Sequence, residues 1–353
     1  MLTRRQVLHR GVGAAAALTA APLLAACGPA SAPAPTATLA ATVAATATPL
    51  PPPETTTIRL LLAACDLPIM AAASNLRDEG FTDVQFIDGA PLPALVGGKV
   101  DLAGGMFTYA PAVAVEAGQP VVALGGLHTG CVQIWAPQDV ATLKDLRGRT
   151  VVVRSKAPDD TTYSFLAIAI KNAGLDPGSV NFVVQPDADL TKLFLDGKSD
   201  ALFLAVQGAF AFQTNPANKG HLVLDQAMEA PWTQQVCCVL STTTNWVKAN
   251  PVAAKRALRA IYRAADNIPK DRADMAKVAT DKGLFGGAPN VAVVRGAANM
   301  VSFDWRKYDT AESMRFHANL MNGVGLLKMT PDDAVTKATD LRFTRELQTE
   351  ITR

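Results

Sequence analysis

The stretch VVALGGLHTGCVQIWAP, Val121 to Pro137, decides how the chain is divided. Two apolar runs of strand-like composition flank GGLHTGC, which sets His128 and Cys131 among glycines. Small and polar residues between two buried runs suit a loop where backbone comes close to something bound. One lobe is therefore expected to end here, with the chain crossing to a second lobe after Pro137.

Upstream, TIRLLLAACDLP opens with an apolar run, Ile58 to Ala64, of the kind that suits a strand buried in a parallel sheet. Asp66 is placed to cap a helix starting near Pro68. Val84–Asp88, Val100–Gly105 and VVALGG continue the strands, and GAPLPALVGG and MFTYAPAVAVEAGQ read as helices between them. Downstream the same alternation returns in LKDLRGRTVVVRS, DDTTYSFLAIAIKNAGLDP, VNFVVQP, DADLTKLFLDGKSD and ALFLAV. Alternation with short loops predicts parallel-rich sheets flanked by helices, with ligands at the carboxyl ends of the strands. VCCVLSTTTNW reads as a return strand to the first lobe, which makes a two-strand hinge. NPVAAKRALRAIYRAADNIP is an amphipathic helix with Asn250 as its cap, and Lys270 to Arg353 reads as helices wrapping the first lobe. The expected lobes are 57–137 with 234–353, and 138–233.

The first 56 residues stand apart. MLTRRQVLHRG is basic, and the apolar run Val12 to Ala26 is on the order of fifteen residues, short for a membrane span. It closes in LLAAC. Residues 1–27 resemble a twin-arginine export signal ending in a bacterial lipobox, with Cys27 as the lipidated residue. An uncleaved anchor helix is the competing reading, and either one puts the domain outside the cytoplasmic membrane. Residues 28–56 are rich in Ala, Pro and Thr and nearly free of charge, which predicts an extended tether rather than a core. Apolar residues are 49% of the chain and charged residues 18%, ample for buried cores. The net charge of +2 owes much to Arg4, Arg5 and Arg10; without them the 33 basic residues fall to 30 against 31 acids. That balance gives no reason to expect nucleic-acid binding.

VGGKVDLAGG, AGQPVVALG, LKDLRGRTVVV, NAGLDPGSVNF and DGKSDALFL, in this order between Thr57 and Pro251, carry a resemblance. They are similar to recurring pieces of type II periplasmic binding proteins for nitrate, sulfonates, taurine and thiamin-pyrimidine precursors. The resemblance implies a two-lobed, hinge-closing receptor that passes a small solute to the permease and ATPase of an ABC importer. It also implies no catalysis, no cofactor and a monomer held at the membrane by its lipid. A thiamin-pyrimidine-synthase-like enzyme and a ligand-sensing lipoprotein are the competing roles. Where the family commonly has an aromatic, an acid and Pro, this chain has Ala205, Val206 and Gln207, and the stretch after the first helix is shortened to Asn75–Phe81. Subfamily substrates therefore do not transfer.

Besides Cys27 there are four cysteines, Cys65, Cys131, Cys237 and Cys238, all at strand ends or on the return strand. Three fates stay open: a disulfide between Cys131 and one of the 237–238 pair, inert buried thiols, or a thiol site for a soft metal or thiol-reactive ligand. Neighbours on a strand face opposite ways, so a metal site would use Cys65, Cys131 and only one of the pair, with His128 as the nitrogen ligand; Cys238 is the expected member. Helix starts after strands offer backbone N–H groups, which adds Asp66, Gly89, Met106, Thr108, Tyr109, Thr161 and Thr162 to the expected cleft. Thr129 and Gln207 join them. Asp159 either favours a ligand carrying an amine or a cation, or belongs with Asp160 to ordinary capping. Trp232 either closes over the ligand or packs the hinge. His221 and His317 receive no role.

Overall fold

The structure, a computed structural model, describes residues 51–268, 272–287 and 290–351. The expected export signal, Cys27 and most of the tether lie outside them. No helix among the described residues is long and apolar enough to cross a membrane.

The first lobe is laid down as β1 (Thr57–Leu61), α1 (Leu67–Ala71), α2 (Ala73–Asp78), β2 (Asp83–Ile87), α3 (Pro91–Val96), β3 (Leu102–Phe107), α4 (Ala110–Glu116) and β4 (Val121–His128). The second contains β5 (Val132–Ala136), β6 (Thr150–Val153), α5 (Thr161–Asn172), β7 (Asn181–Val184), α6 (Leu190–Leu195), β8 (Leu202–Ala205), α7 (Val206–Gln213) and β9 (His221–Asp225). The chain then returns through β10 (Cys238–Thr243), α8 (Thr244–Ala249) and α9 (Pro251–Asp266). It finishes in α10 (Ala273–Asp281), α11 (Val291–Asn299), α12 (Thr310–Gly323), α13 (Pro331–Ala338) and α14 (Arg342–Glu350).

The first sheet has the order β2-β1-β3-β10-β4. β1 runs parallel to β2 and β3, and β10 slots antiparallel between β3 and β4 as the expected return strand. All eight residues of β4 are buried, which is why its sequence is apolar without alternation. In the second lobe β8-β5-β9 form one antiparallel sheet and β6-β7 a parallel pair. Asp200 stitches the two together: its N–H donates to the Thr150 carbonyl at 2.7 Å, and its carboxylate accepts from Thr150 N at 2.9 Å.

Several expectations need correction. GGLHTGC is not one loop, because GGLH completes β4 and only Thr129–Cys131 turns. The glycines are there for packing. A Cβ on Gly125 would run into the Tyr262 hydroxyl and Thr344 Oγ1, from α9 and α14. Gly130 has a φ of 69°, and a Cβ there would sit 2.7 Å from that of Ala227, so the two chain crossings touch at this point. Val132–Ala136, expected to finish the first lobe, pairs instead with β8 and β9; the crossing comes at Thr129–Cys131 rather than after Pro137.

Caps differ as well. Asp66 and Asn250 precede α1 and α9 but neither side chain caps. Glu54 does that work for α9, accepting from Val252 N at 3.0 Å and Ala253 N at 2.8 Å. Residues expected in the tether thus pack onto the first lobe from Pro51, whose carbonyl accepts from Arg256 Nε at 2.9 Å. The C-terminal helices straddle both lobes instead of wrapping one. α13 packs on α4 and α14 on β4 and α9, whereas α11 lies on α7, with Gly296 against Phe210, and α12 lies on α5.

Candidate functional site

Two separate places lie between the lobes. One is an open cleft of about 890 Å³. Leu92, Met106 and Tyr109 wall it from the first lobe, Pro158, Asp159 and Thr161 from the second, and Leu326 and Lys328 close one side. Glu116 also lines it, but its carboxylate is committed to the N–H groups of Lys328 at 2.8 Å and Met329 at 2.7 Å. Asp160 is an ordinary cap, accepting from Tyr163 N at 2.8 Å. That leaves Asp159 and Lys328, one acid and one base, as exposed charged residues of an otherwise largely apolar cleft.

Deeper in, an aromatic cluster joins the lobes. Phe107 of β3 lies 6.1 Å, centroid to centroid, from Phe165 of α5, which lies 5.2 Å from Trp232 on the return crossing. Trp232 meets Phe316 of α12 at 5.5 Å, and Tyr109 meets His317 at 6.0 Å. Trp232 is 2% exposed, so it packs the hinge and does not face the cleft. Thr108 is buried too, its hydroxyl donating to the carbonyls of Val236 at 2.7 Å and Cys237 at 3.1 Å, which ties β3 to the return crossing.

The second place is a buried cluster of thiols at the hinge. Cys65 follows β1, His128 ends β4, Cys131 lies on the outgoing crossing and Cys238 begins β10. One donor atom from each of these four side chains lies within 4.8 Å of the others, and all four residues are buried. The cysteines are free thiols, not bridged. Cys237, just before β10, also comes near, its Sγ 3.9 Å from that of Cys238. Asp66, with no solvent contact, sets Oδ1 3.3 Å from His128 Nε2.

The electrostatics follow from burial and crowding. The Cys131 thiol is held well below its ordinary value because Cys237, Cys238 and Cys65 can donate to its thiolate. Their own thiols are pushed up, Cys65 and Cys238 chiefly by Cys131 and Cys237 chiefly by burial. Burial pulls His128 down, but Asp66 and Cys131 outweigh it and hold the ring above its usual value. Asp66 Oδ1 and both His128 ring nitrogens nevertheless complete no hydrogen bond. Nor does the Nε2 of buried Gln226, whose Oε1 accepts from Cys131 N at 2.8 Å.

The structure therefore sorts the expected residues. Met106, Tyr109, Asp159 and Thr161 reach the cleft. Cys65, Asp66, His128, Cys131, Cys237 and Cys238 gather at the hinge, where Thr108, Thr129 and Trp232 are also buried. Gly89 is exposed beside the lining Ala90, Thr162 faces a separate hollow of the second lobe with Arg154 and Leu190, and half-buried Gln207 is not among the cleft's lining residues. Sequence reasoning missed Phe107, Phe165, Gln226, Leu326 and Lys328. A buried Phe has no local signature, and Leu326 and Lys328 come to the cleft from over 150 residues beyond Thr161 in the chain.

A search of curated protein sequences finds no match. Solved structures share the fold at low identity. The periplasmic nitrate-binding protein NrtA of Synechocystis PCC 6803 superposes with a TM-score of 0.68 at 17% identity, over 85% of this chain and 90% of its own. The alkanesulfonate-binding protein SsuA of Xanthomonas axonopodis pv. citri, bound to MOPS, gives 0.61 at 19%, over 82% and 99%. A Candida albicans protein with the generic periplasmic binding protein fold gives 0.58 at 13%, over 80% and 96%. These likenesses establish the two-lobed periplasmic binding protein architecture. The profile described as NMT1/THI5 like matches residues 78–273, more than half of the sequence, and the chain belongs to that family.

Proposed function

We propose that the chain is an extracytoplasmic solute-binding lipoprotein that closes two lobes over a small molecule and presents it to the permease and ATPase of an ABC importer. The observation that carries this is the cleft of about 890 Å³, lined by residues of both lobes, beside a hinge of two chain crossings. Such a volume takes a small organic solute, and a ligand touching both walls stabilises the closed arrangement by its differential affinity. The nitrate and sulfonate receptors that share the fold support a transport role. The apolar walls, with Asp159 and Lys328 offsetting each other in charge, favour an organic solute with apolar surface over nitrate. The arginine pair at Arg4-Arg5 and LLAAC at Leu23–Cys27 support export and lipid anchoring at Cys27. On this reading the protein is a monomer and performs no reaction.

The test is equilibrium dialysis of the purified chain against nitrate, taurine, alkanesulfonates and aminopyrimidines, with mass spectrometry of what is retained. One organic solute with apolar surface, such as an aminopyrimidine, should be held at one per chain in preference to nitrate, and Ala110→Trp, which fills the cleft, should abolish retention. Conversion of a retained solute into a product, or retention unaffected by Ala110→Trp, would count against a binding role for the cleft.

A further inference from the structure

We infer that Cys65, His128, Cys131 and Cys238 form a closed site for a single thiophilic divalent metal ion, zinc in the first instance. The site is distinct from the cleft, since none of the four residues lines it. Three sulfurs and one imidazole are the donor set of a structural zinc site, which is four-coordinate and tetrahedral. With metal–ligand bonds of about 2.3 Å, tetrahedral donors stand about 3.8 Å apart. The four donor atoms here lie within 4.8 Å of one another, so the widest pair closes by about an ångström or less once an ion is bound.

The buried polar atoms whose hydrogen bonding is incomplete point the same way. A buried carboxylate and a buried imidazole are costly to leave without hydrogen-bond partners, and native proteins seldom do so. Here Asp66 Oδ1 and His128 Nε2 face each other at 3.3 Å without completing a hydrogen bond, and the buried His128 Nδ1 completes none either. An ion relieves this. It takes one imidazole nitrogen, and the carboxylate orients the ring from the other side, as outer carboxylates do for metal-bound histidines. Asp66 stands 3.3 Å from Nε2, in place for that role. Charge selects the ion: up to three thiolates, with Asp66 alongside, concentrate negative charge in a dry site, which a divalent cation offsets better than a monovalent one.

The position of the site gives it a consequence. Cys65 and His128 belong to the first lobe, Cys131 to the outgoing crossing and Cys238 to the start of β10 just after the return crossing, so an ion ties the crossings to the first lobe. Cys237 lies outside the group of four but beside it, its Sγ 3.9 Å from that of Cys238.

The full chain, stripped of metal with chelator under reducing conditions and desalted, is titrated with zinc and separately with cobalt(II). We expect one ion per chain by elemental mass spectrometry. The cobalt form should show thiolate-to-cobalt charge transfer and the intense visible bands of a tetrahedral centre. Cys65→Ser, Cys131→Ser and Cys238→Ser should each weaken cobalt binding more than 100-fold, and Asp66→Asn by about 10–100-fold. Circular dichroism identifies variants that do not fold; for these the wild-type cobalt spectrum, which needs no variant, decides. A folded, reduced chain that binds less than one ion, a cobalt spectrum without thiolate charge transfer, or full affinity in folded Cys131→Ser overturns the site. A mass two hydrogens lower as isolated, with no ion bound after reduction, overturns it in favour of a disulfide. None of these results bears on solute retention by the cleft, so the two readings fail separately.

Discussion

His317 lies where acid should loosen the contact between the lobes. It sits on α12 with its ring 6.1 Å from Trp232 and 6.0 Å from Tyr109, and its Nδ1 is 2.8 Å from the Ser313 carbonyl. That carbonyl accepts, so Nδ1 carries the proton of a neutral ring. Burial among aromatics penalises the imidazolium and takes the group from an ordinary 6.5 down to about 4, with the Ser313 carbonyl opposing part of the drop. The unfolded chain thus takes up a proton before the folded one does. Above pH 6.5 the residue contributes no pH dependence; as pH falls from 6.5 towards 4, it costs about 1.4 kcal/mol per pH unit. Across that window the loss is on the order of 3 kcal/mol. Urea unfolding of wild type and His317→Met at a series of pH values measures it, because the apolar variant keeps the volume but has no proton to gain. The wild type should lose more stability than the variant between pH 6.5 and 4, and the two curves should run parallel above it. Equal slopes throughout would refute the buried, neutral histidine.

Three further outcomes are expected. Gly125→Ala should destabilise by about 1–3 kcal/mol in chemical denaturation, because its Cβ collides with Tyr262 and Thr344; Tyr262→Phe in the same chain should recover part of the loss. Glu79 is buried and accepts from Arg259 Nε at 2.7 Å and Arg256 Nη1 at 3.2 Å, so Glu79→Gln should cost about 3 kcal/mol and lower Tm. Cys27→Ser should move the protein from the membrane fraction to the soluble fraction of cells, visible by immunoblot.

How far the site was legible depends on how local its cause is. Cys65, Cys131 and Cys238 were open to a sequence reading because Cys65 and Cys131 lie just beyond the carboxyl ends of β1 and β4 and Cys238 begins the return strand, and the carboxyl ends of parallel strands converge. Strand alternation allowed only one of Cys237 and Cys238 in the site, yet their sulfurs lie 3.9 Å apart where β10 meets β3 and β4. Gly125 and Gly126 misled, since a glycine that makes room for Tyr262 looks in sequence like one that makes room for a ligand.

The sequence by itself determined the alternation of strands and helices, the return strand, the family and the set of thiols near the hinge, because apolar runs, turn residues and cysteine positions are written locally. Only the tertiary structure decided where the chain crosses between lobes, that Phe107, Phe165 and Trp232 plug the space between them, and that Asp66 faces His128 instead of capping a helix. These depend on packing between segments as far apart as β3 and α12, and side-chain partners at that separation leave no periodic trace in the chain.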